Sequence, residues 1–558
     1  MLVRCVCEIM AAWAVAGAVE NRRMLMYRYI TKNKGTYIFY VIFLVLSAVF
    51  SVMFSFVLGE IMDSAVQGSV SRLLRYTVGG IIFLVITVGS EYLYGIAKNR
   101  LVKLARMGVK EDMLACLMKR DTLTFEGEKT SVYVSNFLQN LDMLESLYFN
   151  NVLDTPMVIC SFLIAIVACL YIEPIMLLLI IVFSLFTTLV VKLMMNRLQK
   201  STKEFSEALA GYTGEIEDIL GGHRVVKLYA IGEKLRERHH AGNVLVEGKK
   251  EKNLNDRVSF GCSNELAGLI TTIAIMSIAS YFAIKGDFSI GFVLAFGQLS
   301  GKIISPIMSA SDMWMGFKSS KQIRKKYEEL LFDKSSEKSD ADVQYGDVAL
   351  ENMSLRLGGK TIIDNFSYTF KKNHKYLVMG ENGCGKSTLL SVIAGLYKSY
   401  EGKVIYAGTE IKNVAETSLS KVVTLVGQEP YLFNDTLRNN ISLYGDYSDD
   451  EILAVMRKCK LEKMMEALPE GLDTMVSGNG VNFSGGEKQK INLARALLHD
   501  RKIFLLDEIS SNLDSESTEQ IENIILDIKD KLVISVAHKL SDEMIGRYDE
   551  VVTLKKVI

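Results

Sequence analysis

The sequence predicts two fold classes joined on one chain: an all-α membrane domain of six spanning helices, then an α/β domain built on a phosphate-cradling loop (P-loop). Three observations predict it. Long apolar runs are confined to the first 311 of 558 residues. A glycine-rich turn, "GENGCGKSTLL" at 380–390, follows an apolar run, "YLVM" at 376–379. Beyond residue 343, short apolar segments such as "KYLVM", "VVTLV", "KIFLL" and "LVISVA" alternate with helical stretches. Composition fits such segregation, with 49% hydrophobic residues and a mean hydropathy of +0.21 beside 23% charged residues.

The membrane domain is expected over residues 25–320. Its first span is read at 37–58, "YIFYVIFLVLSAVFSVMFSFVL", long enough to cross a bilayer as a helix. The others are read at 76–97, interrupted by Glu91, at 155–172 and 174–191, split by Glu173-Pro174, at 266–284, and at 288–311, interrupted by Lys302. Basic residues set the orientation. Segment 98–151 carries eight Lys/Arg and 192–257 thirteen, whereas 59–75, 172–173 and 284–287 together carry three. Both termini and the two long loops are therefore expected in the cytoplasm. The loops are poor in proline, so helices are expected to run on into them for tens of ångströms.

Residues 1–24 are read as an extension outside the fold, with Met24 as a natural beginning. A charged, Ser/Asp-rich linker is expected at 321–342, and the α/β domain at 343–558. With 64 basic and 64 acidic residues, nothing points to a nucleic-acid partner. The eight cysteines are scattered, several in apolar runs where they act as small hydrophobes, and Cys5-x-Cys7 alone is weak as a metal site.

The loop matches G-x-x-x-x-G-K-[ST]. Gly380, Gly383 and Gly385, with Glu381, Asn382 and Cys384 between them, allow backbone N–H groups to turn inward around phosphate oxygens. Lys386 supplies a point charge, Ser387 a hydroxyl for Mg²⁺, and the helix opening through Thr388 aims its positive end at the same anion. Four stations follow. "VGQEP" places Gln428 after an apolar strand; "FSGGEKQK" spans 483–490; "IFLLDEIS" sets Asp507 and Glu508 at a strand end, with "SNLD" after it; and "ISVAH" ends a strand at His538. Asp507 suits the Mg²⁺ shell through water, with Ser387 and Gln428 ligating directly. Glu508 suits the orientation or deprotonation of a water, and His538 suits contact with a γ-phosphate. Ser484 with the Gly485 and Gly486 N–H groups makes an anion site at a helix start, and Ser484-x-x-Glu487 is a capping-box pattern.

In this order the stations resemble the nucleotide-binding domain of ATP-binding cassette transporters, which implies a RecA-like α/β fold with a helical subdomain. The six spans resemble the exporter-type membrane domain, as do "EIEDILGGHRVVKLYA" at 215–230 and "ISPIMSASDMWMGFKSSKQIRKKYEEL" from 304. The resemblance implies ATP and Mg²⁺, hydrolysis coupled to transport, and a homodimer or heterodimer in which Gly380–Thr388 of one copy face Ser484–Glu487 of the other. The expected function is export of a peptide, lipid or amphipathic small molecule across the cytoplasmic (inner) membrane. The alternatives are the less active half of a heterodimer, an inward transporter, or a regulatory membrane ATPase that moves no solute.

Three departures stand out. Leu357 occupies the position where the family stacks an aromatic ring on adenine. Glu487 replaces the usual glutamine. The family's usual further helix is not expected after "YDEVVTLKKVI". Within the spans, Lys302, Glu91 and Glu265 are expected to line one inner-leaflet cavity with Gln298, Tyr92 and Tyr94; the alternative is a Lys–Glu pair that only holds helices together.

Overall fold

The computed structural model describes residues 24–331, 341–468, 470–476, 483–509, 515–537 and 540–557. After a short helix, Met24–Thr31, six long helices follow: α1 (Lys34–Val66), α2 (Val70–Met118), α3 (Asn150–Ile172), α4 (Pro174–Gly221), α5 (Gly232–Lys285) and α6 (Ile290–Leu331). Among the described residues six helices are long and apolar enough to cross a membrane, which agrees with the sequence expectation. Most outgrow their apolar stretches. At 54 residues, α5 is about 80 Å long. The continuations are charged but rich in good helix formers, so nothing in them stops the helix. For the same reason α6 runs to Leu331, through the first part of the stretch expected to be linker.

Local chemistry sets the ends. Asn33 caps α1 by accepting from Thr36 N–H. Pro174 opens α4 after Glu173 turns extended, and Gly286 ends α5 in the left-handed region at φ +86°. Where α1 meets α6 the backbones nearly touch: a Cβ on Gly59 would lie 2.9 Å from the Gly291 carbonyl oxygen, and one on Gly291 only 2.3 Å from that of Gly59. Only small residues permit this approach. Asp63 closes the contact, accepting from Ser289 Oγ at 2.6 Å and Gly291 N at 2.7 Å, and so satisfies a donor that the start of α6 leaves free. Beyond the apolar stretches a polar seam joins α4 to α5. There Asn253 donates to Ser201 and Thr202, Arg197 donates to Asp256, and Glu204 accepts from Lys249 and Lys252.

The second half holds two sheets. β1 (Val348–Leu357), β2 (Lys360–Phe370), β4 (Glu401–Tyr406) and β5 (Thr409–Glu410) form an antiparallel sheet in the order β2-β1-β4-β5. β3 (Lys375–Met379), β6 (Val423–Val426), β7 (Ile503–Asp507), β8 (Leu532–Val536) and β9 (Glu550–Thr553) form a parallel sheet in the order β6-β7-β8-β3-β9. Parallel strands are covered on both faces and read as near-continuous apolar runs. All of β8, and all of β7 except Asp507, are buried. One core packs the antiparallel sheet and one face of the parallel sheet around α7 (Lys386–Ile393). A second core packs the other face under helices between residues 437 and 498, among them α8 (Gly485–His499).

The chain divides into two compact units. Among the described residues, one takes in those up to Cys116 and from Thr130 to Leu331; the other takes in Leu117–Lys129 and those from Ala341 on. The short helix Thr122–Glu126 thus belongs to the second unit, where Glu126 accepts from Tyr397 Oη at 3.0 Å.

Candidate functional site

The parallel sheet presents the carboxyl ends of β3, β6 and β7 on one edge, where open α/β sheets bind ligands. After β3 the chain turns through Gly380–Gly385 into α7. Gly383 (φ +77°) and Gly385 (φ +96°) are left-handed, and a Cβ on Gly385 would sit 3.0 Å from Ile362. At Gly380 a Cβ would meet the Leu554 carbonyl oxygen at 2.5 Å. Each glycine is thus required by conformation or by space. Inside the turn lies Lys386, 5% exposed, donating to the carbonyls of Gly380 at 3.0 Å and Glu381 at 3.1 Å. Its ammonium is thus held at the mouth of the turn by two backbone carbonyls.

Around this turn is a cavity of about 430 Å³ lined by Ile362, Asn382, Gly383, Gly385, Lys386, Ser387, Thr388 and Glu508. Ser387 Oγ donates to Asp507 Oδ1 at 2.9 Å, and Gln428 Nε2 donates to Glu508 Oε2 at 3.0 Å. β7 carries Asp507 to its last position; Glu508 then turns left-handed at φ +48°, fixed by its N–H on Val536 O at 3.0 Å. A non-glycine residue held there stores about 1–3 kcal/mol of strain, a cost found where a side chain must be aimed. The structure therefore brings Lys386, Ser387, Gln428, Asp507 and Glu508 together, from positions spread over more than a hundred residues. His538, and the "SNLD" stretch at 511–514, lie outside the described residues.

Ser484, Gly485, Gly486 and Glu487 are not among the residues lining this cavity. They start α8 with a reciprocal capping box: Glu487 Oε2 accepts from Ser484 N and Ser484 Oγ, both at 2.8 Å, and Ser484 Oγ accepts from Glu487 N at 3.3 Å. Leu357 is half-buried against the sheet core, and no aromatic ring is among the described residues that line the cavity. Cys384, inside the loop, is only 1% exposed. Two residues that the sequence reading did not single out belong here. Ile362 lines the cavity, and Gln489, buried on α8, donates to the Gln428 carbonyl.

In the membrane unit the residues expected to share a cavity part company. Glu91, Tyr92, Glu265 and Gln298 are exposed, whereas Lys302 is half-buried and donates to Ser51 Oγ on α1 at 2.6 Å. Lys302 has no carboxylate partner among the described residues, so in place of the alternative Lys–Glu pair there is this lysine–serine bond. Tyr94 is buried and donates instead to Leu153 O and Asp154 on α3, where Lys98 reaches both Asp154 oxygens at 2.6 Å. Helical phase separates Tyr92 from Tyr94, which stand two residues apart and so about 200° round α2, one exposed and the other packed. A cavity of about 340 Å³ does lie between α5 and α6, but other residues line it, including Asn264, Thr272, Ser305 and Ser309.

Residues 37–307 match the family model of the ABC transporter transmembrane region and residues 363–511 that of the ABC transporter. The chain belongs to the ATP-binding cassette (ABC) transporters, as an exporter-type half-transporter with membrane and nucleotide-binding domains fused, and is an ABC-type ATPase coupled to transport. It is similar to the ABC transporter ATP-binding protein YfiC of Bacillus subtilis, 25% identical over 550 residues, 95% of this chain and 89% of that one. It is 26% identical to the ATP-dependent lipid A-core flippase of Vibrio cholerae over 368 residues, 64% of this chain and 63% of the flippase, so the match spans under two thirds of that relative. In fold it matches a bacterial Atm1-family ABC exporter solved with ATP bound, with a TM-score of 0.77 at 18% identity over 94% of each chain.

Proposed function

We propose that this chain is one half of a dimer that hydrolyses ATP to move a lipid-like or amphipathic substrate outward across the cytoplasmic membrane. The observation that carries the dimer is that its two anion-seeking surfaces are separate. The cavity at the loop has no residue of Ser484–Glu487 in its lining, while the start of α8 offers N–H groups to an anion of its own. A second copy would join the two. Exposed apolar surface supports the same reading: Leu228 and Tyr229, at the turn between α4 and α5, are 78% and 74% exposed, and Tyr431, next to the Gln428 segment, is 66% exposed. The outward direction and a lipid-like substrate are supported by the flippase relatives, and the orientation by the basic residues of the long loops.

The residues divide the chemistry as follows. The loop N–H groups and Lys386 hold the triphosphate. Ser387 and Asp507, joined by a hydrogen bond, supply hard oxygen donors that fit Mg²⁺. Ser387 and Asp507 are the residues that would hold the ion. That ion, when bound, supplies charge neutralisation on the phosphates. Glu508, aimed by its strained backbone and held by Gln428, orients the attacking water and takes its proton. His538, on the sequence reading, touches the γ-phosphate.

Purified protein in lipid vesicles tests this. ATP should drive translocation of a fluorescent phospholipid, while Glu508→Gln should bind ATP and lose about 10²–10⁴-fold in hydrolysis. Hydrolysis at the wild-type rate in that variant would remove Glu508 from its role.

A further inference from the structure

The helix α8 does more than present Ser484. Five residues into it, Gln489 is 6% exposed, and its side-chain Nε2 donates to the backbone carbonyl of Gln428. The amide must face this way, because its own oxygen against that carbonyl would set two acceptors together. Its Oε1 is left buried without a hydrogen-bond partner. A leucine of similar volume would not carry that cost, so the bond to Gln428 is the reason for an amide at this place. From Gln428 the chain of contacts continues: its Nε2 donates to Glu508 at 3.0 Å. Further along the same helix Arg495 grips the same segment, donating to Tyr431 O at 3.1 Å and Asn440 O at 2.8 Å. The segment carrying Gln428 is thus attached to α8 at three carbonyls.

We propose that Gln489 is a positioning residue that ties the Gln428–Glu508 pair to the Ser484 end of α8. The proposal rests on the dimer reading above for one consequence. On that reading the Ser484–Glu487 turn of a chain serves its partner's nucleotide, whereas Gln428 and Glu508 serve its own. Anion capture at Ser484–Gly486 pulls on α8, and Gln489 passes that displacement to Gln428, so each copy's hydrolysis depends on engagement at the other site. This is a coupling between two sites carried by one named hydrogen bond.

The test uses the intact transporter in nanodiscs and measures ATPase rate against ATP concentration for Gln489→Leu, Gln428→Ala and the double variant. Gln489→Leu should leave ATP affinity within about twofold and lower kcat about tenfold, as small misplacements of reacting groups do. Its Hill coefficient should fall to one from a wild-type value above one. The double variant should be no slower than Gln428→Ala alone, because Gln489 acts through Gln428. A merely structural role would lower the melting temperature and give additive losses, and additive losses overturn the proposal. So does a wild-type kcat in Gln489→Leu. A Hill coefficient of one in the wild type overturns the two-site coupling, the mass of the particle decides the dimer reading separately, and the double-variant result decides the positioning role by itself. Gln489→Glu, which places a carboxylate against the Gln428 carbonyl, should be slower still; recovery of kcat in it would also overturn the proposal.

Discussion

Replacing Glu487 by alanine removes a carboxylate oxygen that accepts two hydrogen bonds at 2.8 Å, from the N–H and the hydroxyl of Ser484. The third bond of the capping box, Glu487 N–H to Ser484 Oγ at 3.3 Å, can survive. Ser484 is exposed, so its freed groups turn to water, and the loss is that of a cap: about 1 kcal/mol. That is a factor of about five in the balance between a formed and a frayed first turn of α8. The turn carries Gly485 and Gly486, so a site that closes only on a formed turn needs up to about five times more ATP. KM should rise by no more than that factor while kcat at saturation holds. Glu487→Gln keeps an acceptor in place and removes a negative charge from an anion-binding turn, so its KM should fall below that of wild type. Steady-state ATPase titrations read both variants, and amide exchange at Gly485–Lys488 reports fraying directly. Faster exchange in Glu487→Ala with an unchanged KM would refute the link between the cap and nucleotide engagement.

The remaining predictions concern other parts of the chain. Lys302→Met should alter substrate-stimulated ATPase while basal ATPase stays within about twofold; if Ser51→Ala reproduces the effect in full, the lysine acts only through its bond to Ser51. Burial, with Arg501 and Arg495 nearby, holds the His499 imidazole below its ordinary value of 6.5, so the unfolded chain takes up a proton before the folded one does. Stability from this group is therefore present above pH 6.5 and is lost as pH falls toward the depressed folded value, and thermal melts across that window should show a slope that His499→Phe removes. Cys384, tucked behind Gly380 at 1% exposure, should resist maleimide far longer than the exposed Cys262; equal labelling rates would show that the loop opens freely.

The strands of the parallel sheet were legible because burial on both faces writes them as apolar runs: "KYLVM" is β3 to the residue, and "LVISVA" differs from β8 by one. The number of spans was legible for a similar reason, since lipid and core both demand apolar residues. The long extensions were expected from the scarcity of proline, but what holds them was not, because α4 and α5 are joined there by polar pairs such as Asn253 with Thr202, which carry no apolar period. At the nucleotide site, residues whose partners are phosphates stood out by type. Gln489 did not, because its partner is a backbone carbonyl 61 residues away, and a carbonyl has no letter. Lys302 was found as an isolated charge, but its partner is a serine, one of many.

The meeting of Gly59 and Gly291 fixes a fulcrum. Two backbones already in contact cannot close further there, and Asp63 keeps them from parting, so a change in the angle between α1 and α6 must turn about that point. Lys34, at the other end of α1, is 59 − 34 = 25 residues away, a lever arm of about 37 Å. Each degree of rotation at the glycines sweeps that end through about 0.6 Å, so a swing of ten degrees moves it by more than a helix turn.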